Sequence, residues 1–356
     1  MKKRFFALFL TFLLICLPLS GCNRGKGETD VHVFYYTYSD PYISSVRAAL
    51  DKELDGAGFS YQDYDGNGNQ TTQTEQIRTA ITKGAKVLLV NIVNTGSDDA
   101  AREITSLAKD AGIPLIFFNR EVSDTIIKEY NRCAFVGTRA EEAGILQGQL
   151  IGEYLLANYS SCDLNGDGVI SYILFKGEEG NNEAIFRTKY SVEEANKLLV
   201  AAGKPALRFY DAANPNGYLV DRNGQWSATA ANEYMTTALT AYNEAAGNMI
   251  ELVICNNDGM AEGAISALNA AGYNKGGSSK TIPVFGVDAT DAAKTLIKNG
   301  QMSGTIRQDA AGMAKALLHL AKNATTEGRD LMADTSEFTV DEAVQKIRIH
   351  YEKYVG

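Results

Sequence analysis

The 356-residue sequence predicts an α/β protein of two doubly wound, Rossmann-like lobes with parallel sheets, joined by a hinge that the chain crosses more than once. Two observations carry that prediction. Short apolar runs rich in Val, Ile, Phe and Tyr alternate with longer stretches of helical period, which is the pattern of βαβ units with a sheet covered on both faces. The runs are also too many for one comfortable open sheet, so they divide into two.

In chain order, strands are expected at residues 32–38, 60–64, 87–92, 114–119, 134–136, 169–175, 207–210, 250–256, 282–287 and 303–306, each a short run of β-branched or aromatic residues. Between them, helical period places helices at 41–54, 74–83, 98–111, 139–157, 183–202, 228–246, 260–271, 289–299 and 310–323. A short strand followed by a long helix puts the lobe boundary near Gly137 and Thr138. The first lobe is then residues 31–138 with 309–331, and the second is 139–308 with 332–356. The last stretch, FTVDEAVQKIRIHYEKYV, alternates again and reads as a late strand of the second lobe. Several crossings between lobes imply a cleft with a flexible hinge, able to close on a ligand.

The amino terminus is not part of this pattern. Lys2, Lys3 and Arg4 precede the one strongly apolar run, residues 5–18, and small residues follow at Ser20 and Gly21. That order reads as an export signal over residues 1–21. Leu19-Ser20-Gly21-Cys22 looks like the lipobox of bacterial lipoproteins, which makes Cys22 the lipidated residue and residues 22–30 a polar tether. The protein is expected to be exported and held by lipid on the outer face of the cytoplasmic membrane, or on the periplasmic side in a cell with two membranes. The formal net charge of −9, more acidic still without the signal, argues against nucleic acid as a partner. Cys133, Cys162 and Cys255 are an odd set without CxxC spacing, so they are expected to pack as small apolar residues.

Ligands of open α/β sheets bind beyond the carboxyl ends of the strands. Those ends carry Asp40, Asn119, Asn257, Asp288 and Gln308. Any one of them reads equally as a helix N-cap, but five from both halves of the chain favour a polar cleft. Carboxylates, carboxamides and a guanidinium suit a polyhydroxylated ligand, whose hydroxyls both donate and accept. Tyr42 and the sole tryptophan, Trp226, are candidates to pack on the C–H faces of a sugar ring.

Asp163-Leu164-Asn165-Gly166-Asp167-Gly168-Val169-Ile170-Ser171 has the spacing of a calcium loop, with side-chain oxygens at positions one, three, five and nine and a carbonyl at seven, from Val169. Position twelve is Leu174, so a carboxylate must come from elsewhere. Asp63-Tyr64-Asp65-Gly66-Asn67-Gly68-Asn69 imitates the spacing and is expected to be a plain turn. No enzyme is expected: His32, His319 and His350 stand in no nucleophile or HExxH arrangement, and no GxSxG or GxxxxGKS loop occurs.

YYTYSDPYISSVR, IPLIFFN, DLNGDG, LFKGEEG with FRTKY, IELVICNND, IPVFGVDA and GTIRQDA occur in this order along the chain. Over residues 32–354 the sequence thereby resembles the bacterial galactose/glucose-binding proteins, the sugar receptors of methylgalactoside ABC transporters, with the type I periplasmic-binding fold of the ribose-binding kind. The resemblance implies that Asp40, Asn119, Arg187, Asn257 and Asp288 hydrogen-bond a monosaccharide and that Tyr42 and Trp226 stack on it. It implies also that Glu251 is the distant ligand of a structural Ca²⁺. This chain departs from the family in having Asn181 and Glu183 for a histidine and an aspartate, Gln308 for an asparagine, Tyr42 for a phenylalanine and Ser171 for a glutamine. The implied partners are a monosaccharide close to galactose or glucose and an ABC permease with its ATPase, the receptor acting as a monomer. The alternative is a sugar-sensing accessory protein that docks on a chemoreceptor or membrane histidine kinase.

Overall fold

The computed structural model describes residues 29–356, so the signal segment, Cys22 and the tether up to residue 28 lie outside the described residues. The first lobe runs β1 (Val31–Tyr35), α1 (Pro41–Ala57), β2 (Tyr61–Asp65), α2 (Gln70–Thr82), β3 (Val87–Val90), α3 (Asp99–Asp110), β4 (Leu115–Phe118), α4 (Asp124–Lys128) and β5 (Cys133–Gly137). The second runs α5 (Ala140–Cys162), β6 (Ser171–Lys176), α6 (Asn182–Ala201), β7 (Arg208–Phe209), β8 (Leu219–Val220), α7 (Ala228–Ala241), β9 (Leu252–Cys255), α8 (Asp258–Ala270), β10 (Val284–Asp288), α9 (Asp291–Lys298) and β11 (Gly304–Gln308). The chain then crosses back into α10 (Ala310–Thr325), β12 (Thr339–Asp341) and β13 (Lys346–Arg348), and crosses once more into β14 (Tyr351–Tyr354).

The first sheet has the order β12-β13-β5-β4-β3-β1-β2, and the second β14-β11-β10-β9-β6-β7, with β8 also on β6. All pairings are parallel except β12 with β13 and β14 with β11. The central strands of both sheets are buried on both faces, which is why β1, β3, β4, β5, β6, β9 and β10 are mostly apolar, while the edge strands β2, β12 and β14 carry polar residues. In the first, Val33, Ile116 and Val136 pack toward α1 and α10, while Phe34, Phe117 and Phe135 pack toward α2, α3 and α4. In the second, Ile173 and Val253 join α7 and α8, while Leu174, Ile254 and Phe285 join α5 and α6. Adjacent residues of one strand enter opposite cores because side chains alternate across a strand.

The carboxyl-terminal stretch corrects one expectation. The sequence places residues 332–356 in the second lobe as a unit, but 339–348 belong to the first sheet, where Ile347 pairs with Val136 in parallel. Gln345 takes a left-handed backbone, φ 51°, and breaks the alternating stretch between β12 and β13. Lys346, 1% exposed, then meets Glu121 at 2.8 Å and Asp124 at 2.7 Å in the first lobe. Only β14 returns, antiparallel to β11. Two smaller differences are local. The second helix begins at Gln70 because Asn69 caps it, and α7 stops at Ala241, before a 3₁₀ turn over Glu244–Ala246. Cys133, Cys162 and Cys255 are free and buried. Among the described residues no helix is long and apolar enough to cross a membrane.

Candidate functional site

All ten residues expected at the cleft, Asp40, Tyr42, Asn119, Asn181, Glu183, Arg187, Trp226, Asn257, Asp288 and Gln308, line one cavity of about 370 Å³. It lies between the lobes, at the carboxyl ends of β4, β10 and β11 and the amino ends of α1, α6 and α8. Several of these side chains cap a helix and face the cavity at once. Asp40 accepts from the amide of Ile43 through Oδ1 at 3.0 Å and from the Tyr36 hydroxyl through Oδ2 at 2.6 Å. Asn257 accepts from the amide of Met260 at 2.9 Å and donates to the Trp226 carbonyl at 3.3 Å. Asn181 accepts from the amide of Ala184 at 3.1 Å and donates across the cleft to Thr95 Oγ1 at 3.1 Å. Capping and lining are thus not alternatives here: the helix start fixes the side chain that the cavity uses.

Asn119, Trp226 and Asp288 hold positive φ angles of 60°, 55° and 126°. Such conformations cost about 1–3 kcal/mol each for residues with a Cβ, and persist where the surroundings over-determine them. Gly177 explains how Trp226, 7% exposed, fits: a Cβ at Gly177 would fall within the indole ring.

At the cavity floor Arg187 organises the hinge side. It donates through Nη1 to the Asn256 carbonyl at 2.8 Å, and through Nη2 to Tyr351 Oη at 2.8 Å, Glu183 Oε2 at 3.2 Å and Gln308 Oε1 at 3.3 Å. Glu183 Oε1 accepts from the Thr138 hydroxyl at 3.0 Å, and Tyr351 Oη lies 3.2 Å from Glu183 Oε2. Burial opposes charge on Arg187, but Tyr351, Glu183 and Asp288 overcome it and hold the guanidinium above its ordinary value. Burial pushes the Asp288 carboxyl well up, against the pull of Arg187. The extra methylene of Glu183 carries its carboxylate to the hinge residues Thr138 and Tyr351. The placement of α6 itself rests on Gly148 and Gly152 of α5, where a Cβ would stand 2.6 Å from the Tyr190 carbonyl and 2.8 Å from Leu198 Cδ1.

Tyr36 and Arg120 also line the cavity and were missed in the sequence. Their signal was present, since Arg120 follows Asn119 in FFNR and Tyr36 precedes Asp40 by four, but nothing local shows which way either side chain turns. Arg120 lies over the Tyr36 ring at 4.4 Å and bonds Val93 O at 2.8 Å and Glu178 Oε2 of the other lobe at 2.7 Å. Three donors of lining residues, Arg120 Nε, Arg187 Nε and Gln308 Nε2, are buried without a partner.

The Asp163 loop lies apart, below β6. Asp163 Oδ2 accepts from the amide of Gly168 at 3.0 Å, Asn165 Oδ1 from Asp167 at 2.9 Å, and Asp167 Oδ1 from Val169 at 2.9 Å. Glu251, immediately before β9 and fully buried, accepts from the amides of Leu164 at 2.7 Å, Asn165 at 3.1 Å and Ser171 at 2.9 Å. Burial raises the Glu251 carboxyl against those bonds. Asp163 Oδ1 is buried without a partner, while Asp167 Oδ2 reaches Arg208 at 2.6 Å. The Ser171 hydroxyl donates to the Met249 carbonyl. Among the described residues no three His, Cys, Asp or Glu side chains stand together as a metal cluster. In the imitating stretch at 63–69, residues 63–65 end β2 and a turn follows at Asn67 and Gly68, with Asp65 Oδ1 accepting from the amide of Asn67 at 2.8 Å.

A family model described as "Periplasmic binding protein domain" matches residues 31–330. The chain belongs to the periplasmic binding proteins. It is 35% identical over 297 residues to the D-galactose/methyl-galactoside binding periplasmic protein of Haemophilus influenzae, covering 83% of this chain and 81% of that one. It is 24% identical over 296 residues to the ribose import binding protein of Salmonella typhimurium, covering 83% and 84%. A solute binding protein of an ABC transporter from Clostridium phytofermentans, solved with bound β-D-glucose, superposes with a TM-score of 0.71 at 21% identity over 91% of this chain and 93% of that one. The two-lobed, mostly parallel architecture is therefore that of the type I periplasmic binding proteins, which bind and deliver ligands and are not enzymes.

Proposed function

We propose that this periplasmic binding protein is the lipid-anchored receptor of a sugar ABC transporter, closing its lobes around a monosaccharide of the galactose/glucose type. The convergence of Asp40, Asn119, Arg187, Asn257, Asp288 and Gln308 with the rings of Tyr42 and Trp226 on one polar cavity carries this reading. Carboxylates, carboxamides and a guanidinium together offer both acceptors and donors, which sugar hydroxyls can satisfy at once. Trp226 and Tyr42 face the ring from the walls. The relatedness to a galactose-binding protein at 35% identity supports the same class. Closure buries the ligand and joins surfaces of both lobes, so a permease can distinguish loaded from empty receptor.

A structural Ca²⁺ belongs to this reading. Asp163, Asn165, Asp167, the Val169 carbonyl and Glu251 are an all-oxygen set of the kind Ca²⁺ takes, and the unpartnered Asp163 Oδ1 fits a ligand there. The Ser171 hydroxyl is engaged with Met249, which leaves its coordination position to water. Bound Ca²⁺ would tie the loop to the Glu251 strand and stabilise the second lobe. The anchor rests on Leu19-Ser20-Gly21-Cys22.

Titrating a monosaccharide panel while following Trp226 fluorescence, with calorimetry in parallel, tests the assignment. Saturable binding of galactose or glucose is expected. A panel giving neither heat nor fluorescence change would refute it.

A further inference from the structure

The sugar cavity has a neighbour. A second, larger space of about 640 Å³ adjoins it, and Tyr42, Asp288 and Gln308 line both. The second is bounded by both lobes. Ser45 of α1 and the start of α10 contribute from one, Lys294 of α9 and Arg307 of β11 from the other.

The partition between the two spaces is polar and incomplete in its bonding. Gln308 is 4% exposed, its Oε1 is held by Arg187 at 3.3 Å, and its Nε2 has no partner. The charges around the second space are mostly neutralised. Lys294 pairs with Asp291 at 3.2 Å and Arg307 with Glu352 at 2.8 Å, while Asp309 caps nothing with its side chain. No cation is left over for a phosphate or carboxylate, and the Asp309 carboxylate repels one. The lining contains no large apolar side chain except Tyr42, so an alkyl or aromatic group gains little there.

We propose that this second space is a subsite for the hydroxylated, uncharged remainder of a glycoside, a second sugar ring above all, whose first ring occupies the cavity between Trp226 and Asp288. The inference rests on the sugar reading above. The glycosidic link would run past Gln308, which lines both spaces. In a free monosaccharide complex that space holds solvent.

Calorimetry with galactose, glucose, methyl β-galactoside, lactose, melibiose and cellobiose on the full-length protein tests this, on the wild type and on Ser45→Trp and Lys294→Trp. Ser45 and Lys294 lie on different lobes, and both are exposed or half-buried helix positions, so one bulky variant can fail to fold without disabling the test. The expected result is at least one disaccharide binding within about 30-fold of its hexose, with tenfold or greater loss of that disaccharide in either tryptophan variant and hexose affinity within twofold. Hexose binding with every disaccharide more than a thousandfold weaker overturns the subsite and leaves the sugar reading standing. Equal losses of hexose and disaccharide in both variants also overturn it. Absence of any sugar binding overturns the sugar reading instead.

Discussion

Removing the carboxylate of Glu178 is expected to weaken ligand binding by about 10- to 100-fold. Arg120 follows β4 of the first lobe and Glu178 follows β6 of the second, so their 2.7 Å pair exists only while the lobes are closed. Their side chains are 6% and 20% exposed, which keeps solvent from screening the contact. A charge-assisted hydrogen bond in such a setting contributes about 1.5–3 kcal/mol, and each 1.4 kcal/mol is a factor of ten. The open form does not make this bond, so its loss shifts the closing equilibrium, and apparent affinity falls with the closed population. The Trp226 indole, 3.4 Å from the same oxygen, lies on the same lobe as Glu178, so that contact does not depend on closure. Calorimetric Kd for the best-binding hexose in wild type, Glu178→Ala and Glu178→Gln measures the effect, with small-angle scattering reporting closure. Glu179→Ala is the control, because Glu179 pairs with Lys176 of its own lobe. A Kd for Glu178→Ala within twofold of wild type would show that the cross-cleft pair contributes nothing to closure.

Gly177→Ala is expected to displace Trp226 and abolish detectable sugar binding, while circular dichroism shows a folded chain; retained affinity would mean that the indole is not a wall of the site. Glu251→Gln is expected to remove the difference in melting temperature between excess Ca²⁺ and chelator, and a wild type without such a difference would count against calcium altogether. Burial, then repulsion from Asp51, pushes the Asp63 carboxyl up to about 7. Because this folded-state value lies above the unfolded one, near 3.8, its contribution to stability is complete below that pH and lost as pH rises through about 7. Urea midpoints at pH 5 and pH 8 should therefore differ more in wild type than in Asp63→Asn; an unchanged difference would assign the pH dependence to other groups.

Much of the molecule is legible in local sequence. The central strands are apolar runs because two cores enclose each sheet, and helix period follows between them, so the two-lobed plan needs no tertiary information. Five of the ten cleft residues, Asp40, Asn119, Asn257, Asp288 and Gln308, could be named because strand ends in an open α/β sheet face the ligand side. That rule converts position along the chain into position in space. Tyr42 and Trp226 could be named because aromatic rings suit a sugar face; Asn181, Glu183 and Arg187 came only with the resemblance to a known family.

What failed to be legible depends on where a side chain turns or where a short segment finds its partner. Residues 339–348 alternate as any edge strand does; only the buried Lys346, meeting Glu121 and Asp124, shows that they complete the first sheet and not the second. Arg120 sits beside a named residue, yet its role depends on Glu178, 58 positions away on the opposite lobe. Tyr351 carried no motif at all, and becomes part of the site because β14 pairs with β11 and sets its hydroxyl against Arg187. The sequence by itself determined the layers, the cleft and the chemistry of its lining, since burial patterns and strand ends are local properties. The tertiary structure alone decided how the lobes are tied to each other and to the hinge, because ion pairs and hydrogen bonds between distant segments form only once folding has brought those segments to within about 3 Å of each other.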